Sequence, residues 1–425
     1  MRNKLLFIFI LASIHSISAQ KKYSRILIEN ATVHVGTGQV YGKGLVGVVD
    51  GKITLVRNSL AYTYKREEWD TIINLDGQHL YPGFFAPNST LGLTEIDAVR
   101  ASVDFQEVGK WNPNVRSLIA YNCESDVLAT VKTNGVLFVQ STPRGGTISG
   151  SSSIMVSECW NWEDGVVRAD DGIHINWPRV YQSNYWTNEA IKHSENYQKD
   201  VEELTAFLTQ AKLFNAENST IDLRYSALKE CFTGNKRFYF HADDQQQLLD
   251  IIDLVKAFEL KNAVIIGGAE SYLVAARLKE WKISVMLPRL TSLPLREDDP
   301  IDLPYRLPKL LQDAGVKFCI QNEGDMEAMN ARNIPFLAGI AMSYGLTEEE
   351  AIRSVSLSPC EIVGIEKQFG SIEEGKMATL FVSKGNALDM RTNEVTLILI
   401  NGQFAEVTNR QTELYEKYKA KYGLD

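Results

Sequence analysis

Between residues 24 and 57 the apolar positions fall in short runs. Ile26, Leu27 and Ile28 open one, Thr32-Val33-His34-Val35 continues the pattern, and apolar runs over 45–49 and 53–56 flank Asp50-Gly51. An Asp-Gly pair supplies the positive backbone angles of a tight turn, so this stretch predicts strands with a hairpin at 50–51. The run 80–85 predicts a further strand ending in a polar tip at Asn88. From about residue 113 the period changes. Residues 127–133 have helical spacing, and Val136-Leu137-Phe138-Val139 reads as a buried strand. Val201, Leu204, Phe207, Leu208 and Ala211 mark one face of an amphipathic helix over 198–214. Strand-like runs at 238–240, 263–266, 283–287 and 316–320 then alternate with helical stretches at 244–258, 271–281 and 305–313. Repeated strand–helix units predict a parallel α/β architecture, and their number favours a closed barrel over an open sheet. Thr347 and Glu350 have capping-box spacing at the head of a helix through Ile352 and Val355. After Gly370 strands return at 377–382 and 395–400, with a turn at Asn401-Gly402, before a terminal helix rich in Lys, Glu and Tyr. Residues 151–197 have weak periodicity and read as an insertion or a set of long loops.

Composition narrows the class. A chain of 425 residues has room for one large domain and a smaller one. The net charge of −9, with no basic cluster to offset it, excludes a general nucleic-acid surface. Arg2 and Lys4 precede an apolar run over 5–14, and small residues end at Ser18-Ala19. This pattern predicts a secretory signal peptide at 1–19, cut after Ala19, and so an exported, periplasmic or extracellular protein; an uncleaved anchor is the alternative. No other segment is long and apolar enough to span a membrane. The five cysteines are scattered, odd in number and lack Cys-x-x-Cys spacing. No disulfide framework is expected, and most of them read as small buried side chains.

The segment Tyr81-Pro82-Gly83-Phe84-Phe85-Ala86-Pro87-Asn88-Ser89-Thr90-Leu91 resembles the first barrel strand of the amidohydrolase superfamily, in its imidazolonepropionase-like and prolidase-like branch. That family's motif is Pro-Gly-aliphatic-aliphatic-Asp-x-His-x-His. The resemblance continues in Gly370-Ser371-Ile372-Glu373-Glu374-Gly375-Lys376-Met377-Ala378 and in Leu399-Ile400-Asn401-Gly402. It implies a (β/α)8 TIM-like barrel beside a small composite β-sandwich built from both termini. The expected division is 20–78 and 370–425 for the sandwich, with the terminal helix, and 79–369 for the barrel, with an insertion near 151–197. It also implies hydrolysis of a C–N bond, non-peptide or small peptide-like, by water on zinc or another divalent ion.

The family's ligands, carried over residue by residue, are mostly missing. Ala86 stands at the Asp position, and Asn88 and Thr90 at the two His positions. His241 fits the strand-five histidine, Gly267 stands where the strand-six histidine is expected, and Glu323 is the candidate for the strand-eight carboxylate. A catalytic zinc takes three protein ligands, and amide or hydroxyl oxygens replace imidazole poorly. The metal is therefore expected to be weak or absent. His241 remains either a buried strand-end histidine or a surviving ligand, and Glu323 either a functional carboxylate or a loop acid. Asn88, Ser89 and Thr90 are candidate ligand contacts, as is Arg144 in the glycine-rich stretch Thr142-Pro143-Arg144-Gly145-Gly146. His174 and His193 are candidate recruits from the 151–197 region. Trp160, Trp162, Trp177, Tyr181, Tyr185 and Trp186 read as a binding face, a core or a subunit contact. Three functions stay open. One is an inactive or altered member that binds a small molecule or pairs, as a hetero- or homo-oligomer, with an amidohydrolase paralogue. The others are an active metal-dependent hydrolase rebuilt on His241 and Glu323, and a purely structural subunit.

Overall fold

The computed structural model describes residues 24–182, 192–214 and 222–424. The expected leader and Tyr185 and Trp186 lie outside the described residues.

Two eight-stranded sheets organise the chain. The first begins with β1 (Arg25–His34), β2 (Val40–Val49), β3 (Lys52–Asn58), β4 (Thr71–Asn74) and β5 (His79–Pro82). Alternation along β1 sends Ile26 and Ile28 to one face with Val46, Leu80 and Leu380, and sends Leu27 to the other with Leu45 and Leu55. The turn at 50–51 forms as the sequence predicts, with φ of 48° at Asp50 and 82° at Gly51.

The second sheet holds β6 (Phe84–Ser89), β7 (Val136–Ser141), β8 (Ile148–Val156) and β9 (Val166–Asn176). A small hairpin of β10 (Tyr181–Gln182) and β11 (Lys192–His193) follows. The sheet continues with β12 (Arg237–Ala242), β13 (Ala263–Gly267), β14 (Ser284–Met286) and β15 (Phe318–Cys319). The eight strands lie side by side in chain order, from β6 to β15. The expected run 80–85 is divided at Gly83, so that β5 pairs in the first sheet and β6 in the second. The chain then returns to the first sheet with β16 (Leu380–Ser383), β17 (Val395–Ile400) and β18 (Gln403–Ala405). β16 lies antiparallel to β5 and joins the two ends of the sequence in one β-rich domain.

The sheet of β6 to β15 is barrel-like, with one departure from the alternating pattern. β8 runs antiparallel to both β7 and β9. The expectation of loops at 151–197 is corrected here, because most of β8 and all of β9 lie in that stretch. The polar sequence Ser149-Gly150-Ser151-Ser152-Ser153 concealed a strand buried along its whole length. Its hydroxyls have internal partners: Ser152 Oγ lies 2.9 Å from His174 Nε2, and Ser153 Oγ accepts from the Asp170 amide at 2.9 Å. Polar residues with satisfied hydrogen bonds do not require a surface.

At the end of the strands away from Asn88, Asp171 is fully buried. Arg168 Nε and Arg237 Nη1 each lie 3.0 Å from its Oδ1, and the Tyr239 hydroxyl donates to its other oxygen. A buried carboxylate held by two guanidinium groups ties β9 to β12, and removing one partner of such an ion pair costs about 3–5 kcal/mol.

Cys123 and Cys159 form a disulfide across 36 residues, while Cys231, Cys319 and Cys360 are free and buried. This single bridge corrects the expectation of no disulfide framework, which rested on spacing and an odd count; neither reveals which cysteines meet in space. The disulfide predicts that alkylation of denatured, unreduced protein modifies three cysteines, and that reduction raises the number to all five. Replacing both bridging cysteines by serine is expected to cost about 4 kcal/mol by chain entropy, read as a fall in denaturant midpoint.

Candidate functional site at the barrel mouth

The C-terminal ends of the parallel strands bring the sequence-predicted residues together. Asn88, at the end of β6, has a φ of 49°. This left-handed turn, which asparagine tolerates, lets its backbone and side chain make four hydrogen bonds to three residues. Its amide N donates to Gln140 Oε1 at 3.0 Å and its Nδ2 donates to Gln321 Oε1 at 2.9 Å. Arg144 donates from Nη1 to Asn88 Oδ1 and from Nη2 to Asn88 O, both at 2.7 Å. Thr90 donates from its amide and from Oγ1 to Glu327 Oε2, at 2.8 and 2.9 Å. Ser89 is fully buried, and its Oγ accepts from the Leu91 amide at 3.2 Å.

His174 belongs to β9, not to a loop. Its Nδ1 lies 3.0 Å from His241 Nε2 and its ring stacks on Tyr239 at 4.5 Å. The proton positions follow from one fixed donor. The Asn88 amide can only donate, so Gln140 presents Oε1 to it and Nε2 to Ser152 Oγ, at 3.1 Å. The single Ser152 proton is then left for His174 Nε2. Burial first, then His241 and Arg144, push the His174 pKa well below its usual value, so this ring is neutral. It therefore carries its proton on Nδ1 and donates to His241 Nε2. His241 is also neutral, its pKa lowered to about 3 by burial and by Arg144. Its proton resides on Nδ1, which has no hydrogen-bond partner among the described residues.

Two cavities open at this mouth. One, of 640 Å³, is lined by Trp177, Tyr181, Asp243 and Arg296 among others; the second, of 620 Å³, is lined by Asn88, Thr90, Phe105, Arg144 and Glu327 among others. His241 and Glu323 line both. Burial and the nearby Asp243 raise the Glu323 pKa to about 8. Burial likewise raises that of Asp243. Arg296 is held by Glu270 and, at 3.1 Å, by Asp244.

The residues present do not fit a divalent ion. The ring nitrogen of His241 that faces His174 is spent on that contact, and the other bears the proton. Asn88 Oδ1 faces a guanidinium. Gly267, at the strand-six position, has a φ of 94°, and a Cβ there would meet Asp243 Oδ1 at 2.5 Å. Among the described residues no three His, Cys, Asp or Glu side chains gather as a metal site requires.

Of the remaining candidates, His193 is exposed on β11, its ring edge-on to Tyr181 at 5.8 Å. Trp160 is exposed, while Trp177 is buried and donates to the Tyr197 hydroxyl at 3.2 Å. The sequence reading missed Gln140, Ser152, Asp243, Gln321 and Glu327. Glu327 is the third acid of Glu323-Gly324-Asp325-Met326-Glu327 and opens the helix after that loop.

Residues 225–409 match the model of the Amidohydrolase family. No curated protein sequence matches the chain. Among solved structures, an amidohydrolase from Thermotoga maritima MSB8 superposes with a TM-score of 0.78 at 24% identity, over 91% of this chain and 100% of that one. A prolidase solved with N-methylphosphonate-L-proline gives 0.56 at 14% identity, over 90% and 99% of the two chains. A Xaa-Pro dipeptidase with bound methionine gives 0.56 at 14%, over 90% and 100%. These likenesses are likenesses of fold. Together with the family match over 225–409 they support a place for the chain in the amidohydrolase superfamily.

Proposed function

We propose that this chain is an exported, metal-independent member of the superfamily that binds a small molecule at the barrel mouth. By descent it belongs with hydrolases of C–N bonds; by its residues it lacks their metal chemistry. The observation that carries this reading is the contact of His174 Nδ1 with His241 Nε2, which takes up the Nε2 lone pair and leaves the proton on Nδ1, the nitrogen that faces the cavities. The two cavities sharing His241 and Glu323 support ligand binding over a purely structural role. Export is supported by the leader pattern and by the disulfide, which persists in oxidising compartments. Pairing with an intact paralogue is compatible with this reading and is detected by co-purification of that relative.

A second reading has one observation in its favour. Glu323 keeps its proton up to about pH 8 in a cavity, as a general acid for C–N cleavage would. It predicts turnover of N-acyl or dipeptide substrates that survives chelation and disappears in Glu323→Gln.

The metal-free reading predicts well under one zinc, manganese or iron per chain by elemental analysis, even after exposure to each ion. One ion per chain, removable by chelator, would overturn it. A further expectation concerns pH. Glu323 is raised from 4.5 to about 8. The folded chain thus holds this proton more tightly than the unfolded chain, and the group's contribution to stability falls as pH rises through that window. Glu323→Gln should therefore gain stability over the parent between pH 4.5 and 8, and level off above it, in denaturant titrations at fixed temperature.

A further inference from the structure

We propose that Arg144 and the Nδ1–H of His241 form a two-donor site for a carboxylate group of the ligand, in the 620 Å³ cavity.

Three observations carry it. First, both side chains line this cavity. Second, every donor in the chain of hydrogen bonds from the Asn88 amide through Gln140, Ser152 and His174 finds an acceptor when His241 carries its proton on Nδ1. Its outer nitrogen is a donor, and a half-buried N–H without a partner among the described residues calls for an acceptor. Third, Arg144 spends two donors on Asn88 and has Glu327 Oε2 at 4.0 Å, while about a quarter of its side chain remains accessible, at 26%. A guanidinium has five N–H donors, so several remain for a planar oxyanion. Glu327 offsets part of this charge but is itself held by the Thr90 amide and hydroxyl. Glu323, on the wall between the cavities, is protonated at neutral pH and does not compete for the guanidinium.

One guanidinium and one neutral N–H suit a monoanion. A carboxylate is thus favoured over a phosphate, which demands more positive charge. The proposal rests on the metal-free reading of the mouth, but the two fail separately: stoichiometric metal defeats the reading, whereas a metal-free protein that ignores carboxylates defeats only this inference.

The test uses the mature protein labelled with nitrogen-15 at histidine. His241 is expected as the Nδ1–H tautomer, and titration with benzoate is expected to shift its resonances saturably. Arg144→Ala and His241→Phe should each weaken benzoate at least tenfold, and inorganic phosphate should bind more weakly than benzoate. Arg144→Lys, which keeps the charge but not the planar fork, should fall between the parent and Arg144→Ala. This milder variant also serves if Arg144→Ala does not fold. An Nε2–H tautomer at His241, benzoate affinity unchanged in the variants, or no saturable shift with benzoate would overturn the proposal.

Discussion

The barrel depends on how its two edge strands meet. Among the described residues no backbone ladder joins β6 to β15. The seam is instead made by side chains: Asn88 reaches Gln321 just beyond β15, and Thr90 reaches Glu327 at the start of the next helix. Arg144, from the loop after β7, grips Asn88 from the other side. Asn88, Thr90 and Arg144 thus act as structural fasteners. This gives a physical reason for the chemistry of the mouth. A bare oxygen or nitrogen ligand must keep a lone pair free, whereas a fastener must use it. Asn88 Oδ1 uses one to accept from Arg144, and Thr90 spends its hydroxyl proton on Glu327.

The interior behind the seam works on the same terms. Asp171 and its two arginines fix β9 against β12 at one end of the strands. The Tyr239 ring, hydrogen-bonded to Asp171, lies under His174, and His174 sets the tautomer of His241. A charge buried for stability is thus linked, through one aromatic ring, to the orientation of the group that faces the cavities. Loss of the ion pair would loosen the imidazole pair as well as the strands.

What the sequence revealed was local. The Asp50-Gly51 turn, the Thr347–Glu350 capping box and the alternating strands and helices depend on neighbours a few residues apart, and each forms. The frame of the first barrel strand was also legible, as were His241 and Glu323 as residues of the mouth. The partners were not. Gln321 meets Asn88 across 233 residues, and Glu327 meets Thr90 across 237. No periodicity encodes such contacts. The serine-rich strand β8 was hidden for a related reason: its side chains are polar by composition and interior by hydrogen bonding. The disulfide likewise needed the folded chain to show which sulfurs approach.

The first sheet has a consequence for how the molecule is made. Strand β5 lies between β1 and β16, and the Tyr81 hydroxyl accepts from the Ala387 amide 306 residues later. While the intervening chain is still emerging, β5 presents an unpaired edge, the kind of surface on which chains aggregate. The barrel must therefore be translated in full before the domain that precedes it is complete. A chain truncated before residue 380 would lose the strand that covers this edge. Holding the newly made chain unfolded until its last strands are available would protect it, and passage across a membrane before folding would do so.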